Sequence, residues 1–209
     1  MTGVSWQRIE AALASRPPAR VAEAVSARAA VALILRDGAA GIEILLIRRA
    51  EHPQDPWSGQ MAFPGGRAEP GEDLQATAIR ETAEEVGVDL ARDAACLGIL
   101  DEVRAMARLR PVSLTILPFV FRLRRAVAPV PGPEVRSLHW LPFDELLKTE
   151  RRSVVDYAEQ GATMQFPCLR VEDVVIWGLT YRMLVGLQER IPPADACLPE
   201  PSSPAGLRR

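Results

Sequence analysis

The stretch from residue 63 to residue 88 constrains the fold more than any other, because it reads as a loop, a helix and a stop. Asp73 is suited to cap the start of a helix, and Gly87 is suited to end one. The first part of the stretch holds prolines and glycines that disfavour regular structure before about position 72, namely Pro64, Gly65, Gly66, Pro70 and Gly71. The sequence therefore predicts a helix entered from an irregular loop.

Three glutamates, Glu81, Glu84 and Glu85, follow one another closely on this predicted helix. At about 100° per residue they fall opposite an apolar face made of Ala76, Ile79, Ala83 and Val86. Mg²⁺ prefers oxygen ligands and tolerates several carboxylates because its own charge compensates them. The patch therefore indicates a hard-cation site or, equally well from spacing alone, a solvated acidic helix face.

The same stretch resembles the Nudix box, G-x5-E-x7-R-E-U-x-E-E-x-G-U, in which U is an aliphatic residue. Thr82 is the one departure from that motif. The resemblance implies the Nudix fold, an α+β arrangement in which a mixed β-sheet is sandwiched between α-helices. It also implies metal-dependent hydrolysis of the pyrophosphate bond of a nucleoside diphosphate derivative. The matching residues are Gly66, Glu72, Arg80, Glu81, Glu84, Glu85, Gly87 and Val88.

The resemblance also assigns roles. It implies that Glu81 and Glu85 bind Mg²⁺ or Mn²⁺, that Glu84 joins them, and that Arg80 orients a box glutamate. Such a cation neutralises phosphate oxygens, activates a water and stabilises the charge of the leaving phosphate. The position of Glu72 supports the loop and helix.

The backbone around Gly65 and Gly66 is expected to lie beside the metal, where a side chain would crowd the approach. The resemblance does not extend to the general base. The candidates in later segments are Asp101, Glu102 and Glu134.

Two flanking stretches resemble the coenzyme A pyrophosphatase branch of the family, whose upstream motif is L-L-T-x-R-[SA]-x3-R-x3-G-x3-F-P-G-G. Residues 45–50 match its start except at Ile47, and residues 59–66 match its end. The intervening segment 51–58 is one residue too long and contains no arginine. Downstream, residues 176–180 read Ile-Trp-Gly-Leu-Thr and resemble the Ile-Trp-Gly-x-Thr of that branch.

This branch implies cleavage of coenzyme A or its thioesters to adenosine 3',5'-bisphosphate and 4'-phosphopantetheine. Basic residues near the site are candidates for holding the 3'-phosphate, with Arg49 foremost; the others are Arg48, Arg67, Arg104, Arg108 and Arg110. The altered segment 51–58 keeps other substrates open, such as ADP-ribose, NADH, dinucleoside polyphosphates or (d)NTPs. A non-catalytic binding module is disfavoured, because all three box glutamates are present.

Composition sets the remaining bounds. A length of 209 residues fits one domain with extensions, and a formal net charge of −2 gives no reason to expect nucleic acid or a membrane surface as partner. The cysteines are widely spaced and not in C-x-x-C pairs, which favours a reducing cytoplasm over disulfides or zinc: Cys96, Cys168 and Cys197. No apolar run is long enough to cross a bilayer. The expected partner is a small-molecule substrate, and a homodimer is left open.

We expect an N-terminal helical extension at 1–24, a Nudix hydrolase domain at 25–190 and a disordered Pro-rich tail at 191–209. The extension carries a helix at 4–15 that packs on the domain. Within the domain, residues 28–36 and 42–48 form a hairpin. Further strands are predicted at 95–103, 112–123, 134–141 and 163–171, loops at 104–110 and 126–133, and helices from 142 and at 176–189. Pro118 argues for an edge or a bulge.

Overall fold

The computed structural model describes residues 3–22, 25–107, 110–159 and 162–191. Its helices are α1 (Trp6–Ala14), α2 (Leu74–Val86), α3 (Leu90–Asp93), α4 (Phe143–Leu147) and α5 (Gly178–Arg190). Its strands are β1 (Ala27–Gly38), β2 (Gly41–Arg49), β3 (Met61–Ala62), β4 (Gly65–Arg67), β5 (Ala94–Ile99), β6 (Val103–Ala107), β7 (Arg110–Leu123), β8 (Val135–Pro142), β9 (Arg152–Glu159), β10 (Ala162–Val171) and β11 (Val174–Trp177).

Strand β1 is the centre of a mixed sheet. It pairs antiparallel with β2, as the predicted hairpin requires, and parallel with β7. The path through the sheet is β3-β2-β1-β7-β5, with β4 on β1, β6 on β7 and β8 on β2. Strands β11, β10 and β9 form a second, smaller sheet.

Residues 29–35 of β1 are buried without alternation, as expected for a strand covered on both faces. Val31 and Leu33 face a core that includes Ile9 of α1 and Leu184 of α5. Ala32, on the opposite face, belongs to a core that includes residues of α2. The mixed sheet between helices that the sequence predicts is therefore confirmed.

The region after α2 differs from the prediction. The single strand expected at 95–103 is two strands, because β5 ends at Ile99 and β6 begins at Val103. The loop expected at 104–110 is wrong as well, since Ala107 pairs with Arg110 in a β6–β7 hairpin. Strand β6 pairs with β7 and lies at an edge of the sheet.

Pro118 lies inside β7, which is a central strand and not the expected edge. Strand β7 accommodates the proline because its pairing with β5 and β6 is interrupted at this position. Strand β5 pairs up to Phe119 and β6 begins opposite Ile116. The amide of Leu100 donates to the Pro118 carbonyl at 2.9 Å in this gap. The missing N–H of proline therefore falls at a local edge.

The prediction for the C-terminal part of the domain also differs from the structure. The late strand is confirmed as β10, but its partner β9 was not predicted, and α5 begins at Gly178 instead of at residue 176. Ile176 and Trp177 pair with β10 as part of β11, and Gly178 turns the chain into the helix with φ of +64°. The predicted tail lies outside the described residues from 192 onward.

Helix α1 packs on the domain as predicted. Ile9 is fully buried, and the backbone after α1 is held by Asp101, which accepts a hydrogen bond from the Ala19 amide at 2.7 Å. Asp101 also pairs with Arg16 and with Arg190, whose side chain is only 3% exposed. These contacts, the Arg16 hydrogen bond above all, hold the pKa of Asp101 well below its usual range.

Across the described residues, none of the helices is both long and apolar enough to span a bilayer. Cys96 is exposed, Cys168 is buried, and both are free thiols.

We expect Asp101→Asn to lower the free energy of unfolding by about 3 kcal/mol at pH 7, because it leaves the buried Arg190 without its counter-ion. Arg16→Ala is the matched control, since it removes the half-exposed partner of the same carboxylate and should cost about 1 kcal/mol or less. Urea unfolding of the three proteins measures both values.

The contribution of Asp101 to the free energy of unfolding changes with pH in a defined direction. Since the folded protein depresses the pKa of Asp101, its contribution is present above the unfolded pKa and is lost as pH falls through the folded pKa. The difference between wild type and Asp101→Asn should therefore narrow on acidification. Equal costs for the two variants would contradict this description of the Asp101 contacts.

Candidate active site

Helix α2 begins and ends where the sequence predicts. The Asp73 carboxylate accepts hydrogen bonds from the amides of Gln75 and Ala76 at 2.9 and 3.1 Å. Gly87 ends the helix in the left-handed region, with φ of +67°, and its amide donates to the Ala83 carbonyl. Both caps satisfy backbone groups that a helix leaves without partners at its ends.

The predicted apolar face of α2 is confirmed at Val86, which is buried, and at Ile79, which packs against the core, but not at its two alanines. Ala76 and Ala83 are exposed, whereas the buried side chains are Leu74, Thr77, Ala78, Thr82, Glu85 and Val86. Alanine carries too little apolar surface to determine which face a helix buries. Thr82 occupies a buried position, and its hydroxyl donates to the Ala78 carbonyl at 2.7 Å. That bond explains how threonine is accommodated where the motif has an aliphatic residue.

Strand β4 passes directly beside α2. The Gly65 amide donates to the Glu85 carboxylate at 2.8 Å. A Cβ on Gly65 would lie 2.2 Å from the Ala30 carbonyl oxygen, and one on Gly66 would lie 2.5 Å from the Glu81 carboxylate oxygens. Close approach to the β1 backbone therefore requires glycine at position 65, whereas a side chain at position 66 would displace the Glu81 carboxylate.

Arg80 organises the acidic residues around it. Its guanidinium contacts Glu72 at 2.9 Å, Glu81 at 3.0 Å and Glu84 at 3.3 Å. It also donates to the Arg67 carbonyl at 3.1 Å, which ties the helix to β4. The hydrogen bond from Arg80 is the main reason that the pKa of Glu72 is lowered to about 2. Glu72 thus stays ionised and supports the loop.

The box glutamates face one cavity of about 410 Å³. It is bordered by the strand of Gly65 and Gly66, and Arg49 and Arg67 bring positive charge to it. Trp57 and Leu179 contribute apolar walls from distant segments. The acidic residues that line it are Asp55, Glu81, Glu84, Glu85 and Glu134.

Glu85 is the most buried of these carboxylates, with a side chain only 6% exposed. Burial raises the pKa of Glu85 to about 7, despite the Gly65 amide and the charge of Arg49 at 3.8 Å. The charges of Glu81 and Glu134 push in the same direction as burial. The pKa of Glu81 is raised too, again mainly by burial.

A divalent cation suits this donor set. Hard carboxylate oxygens converge on one cavity, and their unfavourable negative charge is of the kind that a bound cation relieves. Among the described residues, no three histidine, cysteine, aspartate or glutamate side chains already form a complete ligand set. The present contacts explain this, because Arg80 engages Glu81 and Glu84 while Glu85 accepts from Gly65.

The three candidate general bases lie in different surroundings in the structure. Glu134 lines the cavity. Asp101 and Glu102 do not fit the role, because their carboxylates hold the segment after α1. Glu102 accepts from the Val21 amide at 3.1 Å and lies 3.6 Å from the Arg28 guanidinium.

Of the arginines predicted to hold the 3'-phosphate, only some line the central cavity. Arg49 and Arg67 line the cavity, whereas Arg48 lies in a neighbouring one and donates to the Asp173 carbonyl. The Arg104 carbonyl, in β6, accepts from Arg182 at 3.4 Å. Arg108 and the side chain of Arg110 lie outside the described residues.

Sequence reasoning missed the apolar wall of the cavity. Trp57 lies in the altered segment 51–58, and Leu179 lies at the start of α5. The Thr180 hydroxyl donates to the Met61 carbonyl at 2.8 Å and thereby docks α5 on β3. The Ile-Trp-Gly-Leu-Thr stretch was the signal that pointed here, since it contains both Leu179 and Thr180.

A model of the NUDIX domain matches residues 26–158. The chain belongs to the Nudix family. It is 31% identical over 155 residues to a Yersinia pestis (strain Pestoides F) protein called uncharacterized Nudix hydrolase NudL, covering 71% of this chain and 72% of that protein. The Yersinia pseudotuberculosis serotype O:1b protein of the same description gives the same values.

The crystal structure of a MutT/nudix family protein from Enterococcus faecalis shares the fold, with a TM-score of 0.56 over 90% of this chain and 70% of that one at 15% identity. Together with the family match, these relatives establish a Nudix pyrophosphohydrolase. Nudix hydrolases generally use divalent metal cations and act on nucleotide derivatives.

We expect Glu85→Gln to stabilise the metal-free enzyme at pH 8 by up to about 3 kcal/mol. Because the folded state raises the pKa of Glu85 from 4.5 to about 7, stability falls as pH rises across that interval and stays lowered above it. Glutamine removes the charge but keeps an oxygen that can accept from the Gly65 amide.

Denaturant unfolding in the presence of a chelator at pH 5 and pH 8 measures this effect. The gain should be large at pH 8 and small at pH 5. Glu84→Gln is the control, because that side chain is 59% exposed and its charge is solvated. A destabilisation by Glu85→Gln of the same size at both pH values would argue against the assigned pKa shift.

Proposed function

We propose that this enzyme is a Mg²⁺- or Mn²⁺-dependent pyrophosphohydrolase of coenzyme A or its thioesters. The products are adenosine 3',5'-bisphosphate and 4'-phosphopantetheine. The proposal is supported chiefly by the convergence of five acidic residues and two arginines on one cavity beside Gly65 and Gly66. The two sequence stretches that resemble the coenzyme A branch support the choice of substrate.

In this proposal Glu81, Glu84 and Glu85 hold the cation. When bound, such a cation neutralises phosphate oxygens and lowers the pKa of a bound water. Arg80 sets the positions of Glu81 and Glu84 through its hydrogen bonds to both carboxylates. Arg49 and Arg67 lie where they can contact the diphosphate, and a guanidinium can form two parallel hydrogen bonds to phosphate oxygens.

We assign Glu134 as the general base. It accepts a proton from the attacking water, whose oxygen forms a bond to one phosphorus of the diphosphate. The bridging phosphorus–oxygen bond breaks, and the leaving phosphate takes the electron pair. Glu134 is suited to this role because it lines the cavity from the loop that precedes β8. Its backbone carbonyl accepts a hydrogen bond from the Ala50 amide at 2.8 Å.

Two further cavities adjoin the central cavity, and each can take one end of such a substrate. One, of about 210 Å³, shares Trp57 and Leu179 with the central cavity and is lined mainly by aromatic rings. Tyr157, Phe166 and Trp177 form a cluster there with centroid separations of 5.2–6.3 Å. This apolar wall suits the pantetheine arm, its acyl group or a stacked base.

The other cavity, of about 790 Å³, has a mixed polar and apolar lining and meets the central one at Gln60 and Met61. Arg48, His52 and Ser58 line it. Their hydrogen-bond donors suit a polar group of the substrate, but Glu51 and Asp173 line the same cavity and oppose the positive charge of Arg48. Trp177, from the Ile-Trp-Gly-Leu-Thr stretch, borders both flanking cavities.

A second candidate function keeps the reaction and changes the substrate to ADP-ribose, NADH, a dinucleoside polyphosphate or a (d)NTP. The altered segment 51–58 favours it. That segment places a carboxylate, Asp55, 2.8 Å from the Arg49 guanidinium instead of supplying an arginine. The charge of Arg49 available to a substrate phosphate is reduced accordingly.

We propose a cytoplasmic location, supported by the free thiols of Cys96 and Cys168, which persist in a reducing compartment. A homodimer, the domain boundaries at residues 24 and 190, and the lack of a nucleic-acid partner remain predictions from the sequence.

We expect the purified enzyme with Mg²⁺ to release 4'-phosphopantetheine from coenzyme A faster than it hydrolyses the alternative substrates. Glu134→Gln should lower kcat by about 100- to 10,000-fold with little change in KM, because it removes the general base. Glu150→Gln, at an exposed carboxylate in the turn between α4 and β9, is the matched control and should keep wild-type kcat.

Steady-state kinetics on a substrate panel measure both effects. Negligible turnover of coenzyme A beside fast turnover of another substrate would reject the substrate assignment. Wild-type kcat for Glu134→Gln would reject the base assignment.

A further inference from the structure

The loop between β7 and β8 attaches to the C-terminal end of α2. The Val130 amide donates to the Val86 carbonyl at 2.9 Å, and the Gly132 amide donates to the Glu85 carbonyl at 2.8 Å. The last carbonyls of a helix lack partners within it, so this loop satisfies two of them. One of the two belongs to Glu85, whose carboxylate lines the cavity.

Gly132 lies unusually close to that helix. A Cβ at this position would lie 2.5 Å from the Glu84 carbonyl oxygen and 3.2 Å from that of Glu85. Both are backbone atoms of a packed helix, which cannot give way as a flexible side chain can. The φ of Gly132 is outside the left-handed region, so the need for glycine arises from contact and not from backbone conformation.

The chain after Gly132 leads directly to Glu134. The Val135 amide donates to the Gly132 carbonyl at 3.0 Å and closes a turn around Glu134. On its other side, the Glu134 carbonyl accepts from the Ala50 amide at 2.8 Å. Glu134 is therefore fastened both to the end of α2, through Gly132, and to the end of β2.

We propose that Gly132 is a positioning residue that sets the placement of Glu134 relative to Glu85 across the cavity. The two hydrogen bonds and the close contact at Gly132 make the last turn of α2 the support for the loop that carries Glu134. The inference rests on the proposed function, in which Glu134 acts as the base. Displacing a catalytic group by about 1 Å can cost about 100-fold in rate.

Gly132→Ala tests this, with Gly186→Ala in α5 as the matched control, since a Cβ at Gly186 meets no atom within 4 Å. Gly132→Ala should lower kcat about 10- to 100-fold with KM changed less than about twofold. In addition, hydrogen exchange at the amides of residues 130 and 132 should speed up. Gly186→Ala should change neither quantity.

A double-mutant cycle with Glu134→Gln shows whether Gly132 acts through Glu134. In the Glu134→Gln background, Gly132→Ala should lower kcat by less than about a further twofold. Additive losses would overturn the proposal, as would wild-type kcat for Gly132→Ala while Glu134→Gln is impaired. Wild-type kcat for Glu134→Gln would reject the base, and the positioning role with it.

Pro133→Gly decides the question if Gly132→Ala does not fold. This substitution adds no atoms where the loop contacts α2. It does free the φ angle of residue 133, which the proline ring fixes and which lies between Gly132 and Glu134. We expect a severalfold loss of kcat that disappears in the Glu134→Gln background. Unchanged kcat for Pro133→Gly would overturn the proposal.

Discussion

The hydrogen bond between the Gly65 amide and the buried carboxylate of Glu85 is the contact on which the architecture of this site depends. It joins β4, and through β4 the central strand β1, to the inner face of α2. The contact requires glycine at position 65, because a side chain there would collide with the backbone of β1. It also places a carboxylate where solvent is largely excluded. A charge in such a place is unfavourable unless a partner compensates it, and Arg49, at 3.8 Å, compensates it only in part.

The guanidinium of Arg80 compensates the negative charge of the nearby glutamates other than Glu85. It neutralises Glu72, which supports the loop, and keeps Glu81 and Glu84 close to the cavity while holding them to itself. The carboxylates are thus held by arginines and a backbone amide. In the proposed function, the oxygens of Glu81, Glu84 and Glu85 would hold the cation. The loop of Gly132 then links this helix to Glu134, so the proposed ligands and the proposed base share one support.

Local chemistry explains which features the sequence could predict. The caps of α2 at Asp73 and Gly87 depend on neighbouring residues alone, and both were predicted correctly. The buried face of α2 was predicted correctly at Ile79 and Val86 but not elsewhere, because the alanines gave a misleading apolar pattern and because Glu85 is buried for its contact with Gly65. The β6–β7 hairpin was missed because a segment with several arginines is typical of a loop.

Long-range contacts explain the rest. No spacing rule brings Trp57, Leu179 and Glu134 to the same cavity, since they come from three separate segments. The same holds for Asp101, which looked like a candidate base but fastens the segment after α1 and the end of α5. Gly132 lies in a Pro-rich loop, and its importance is visible only in its distance from the helix backbone.

The proposed reaction depends most on a divalent cation held by Glu81, Glu84 and Glu85. Titration of Mn²⁺ into the metal-free enzyme at pH 7.5, with free Mn²⁺ followed by electron paramagnetic resonance, tests this without turnover. The account predicts saturable binding to the wild type, at least about 10- to 100-fold weaker binding to Glu85→Gln, and unchanged binding to Glu150→Gln. Equal Mn²⁺ affinity in the wild type and in Glu85→Gln would contradict it.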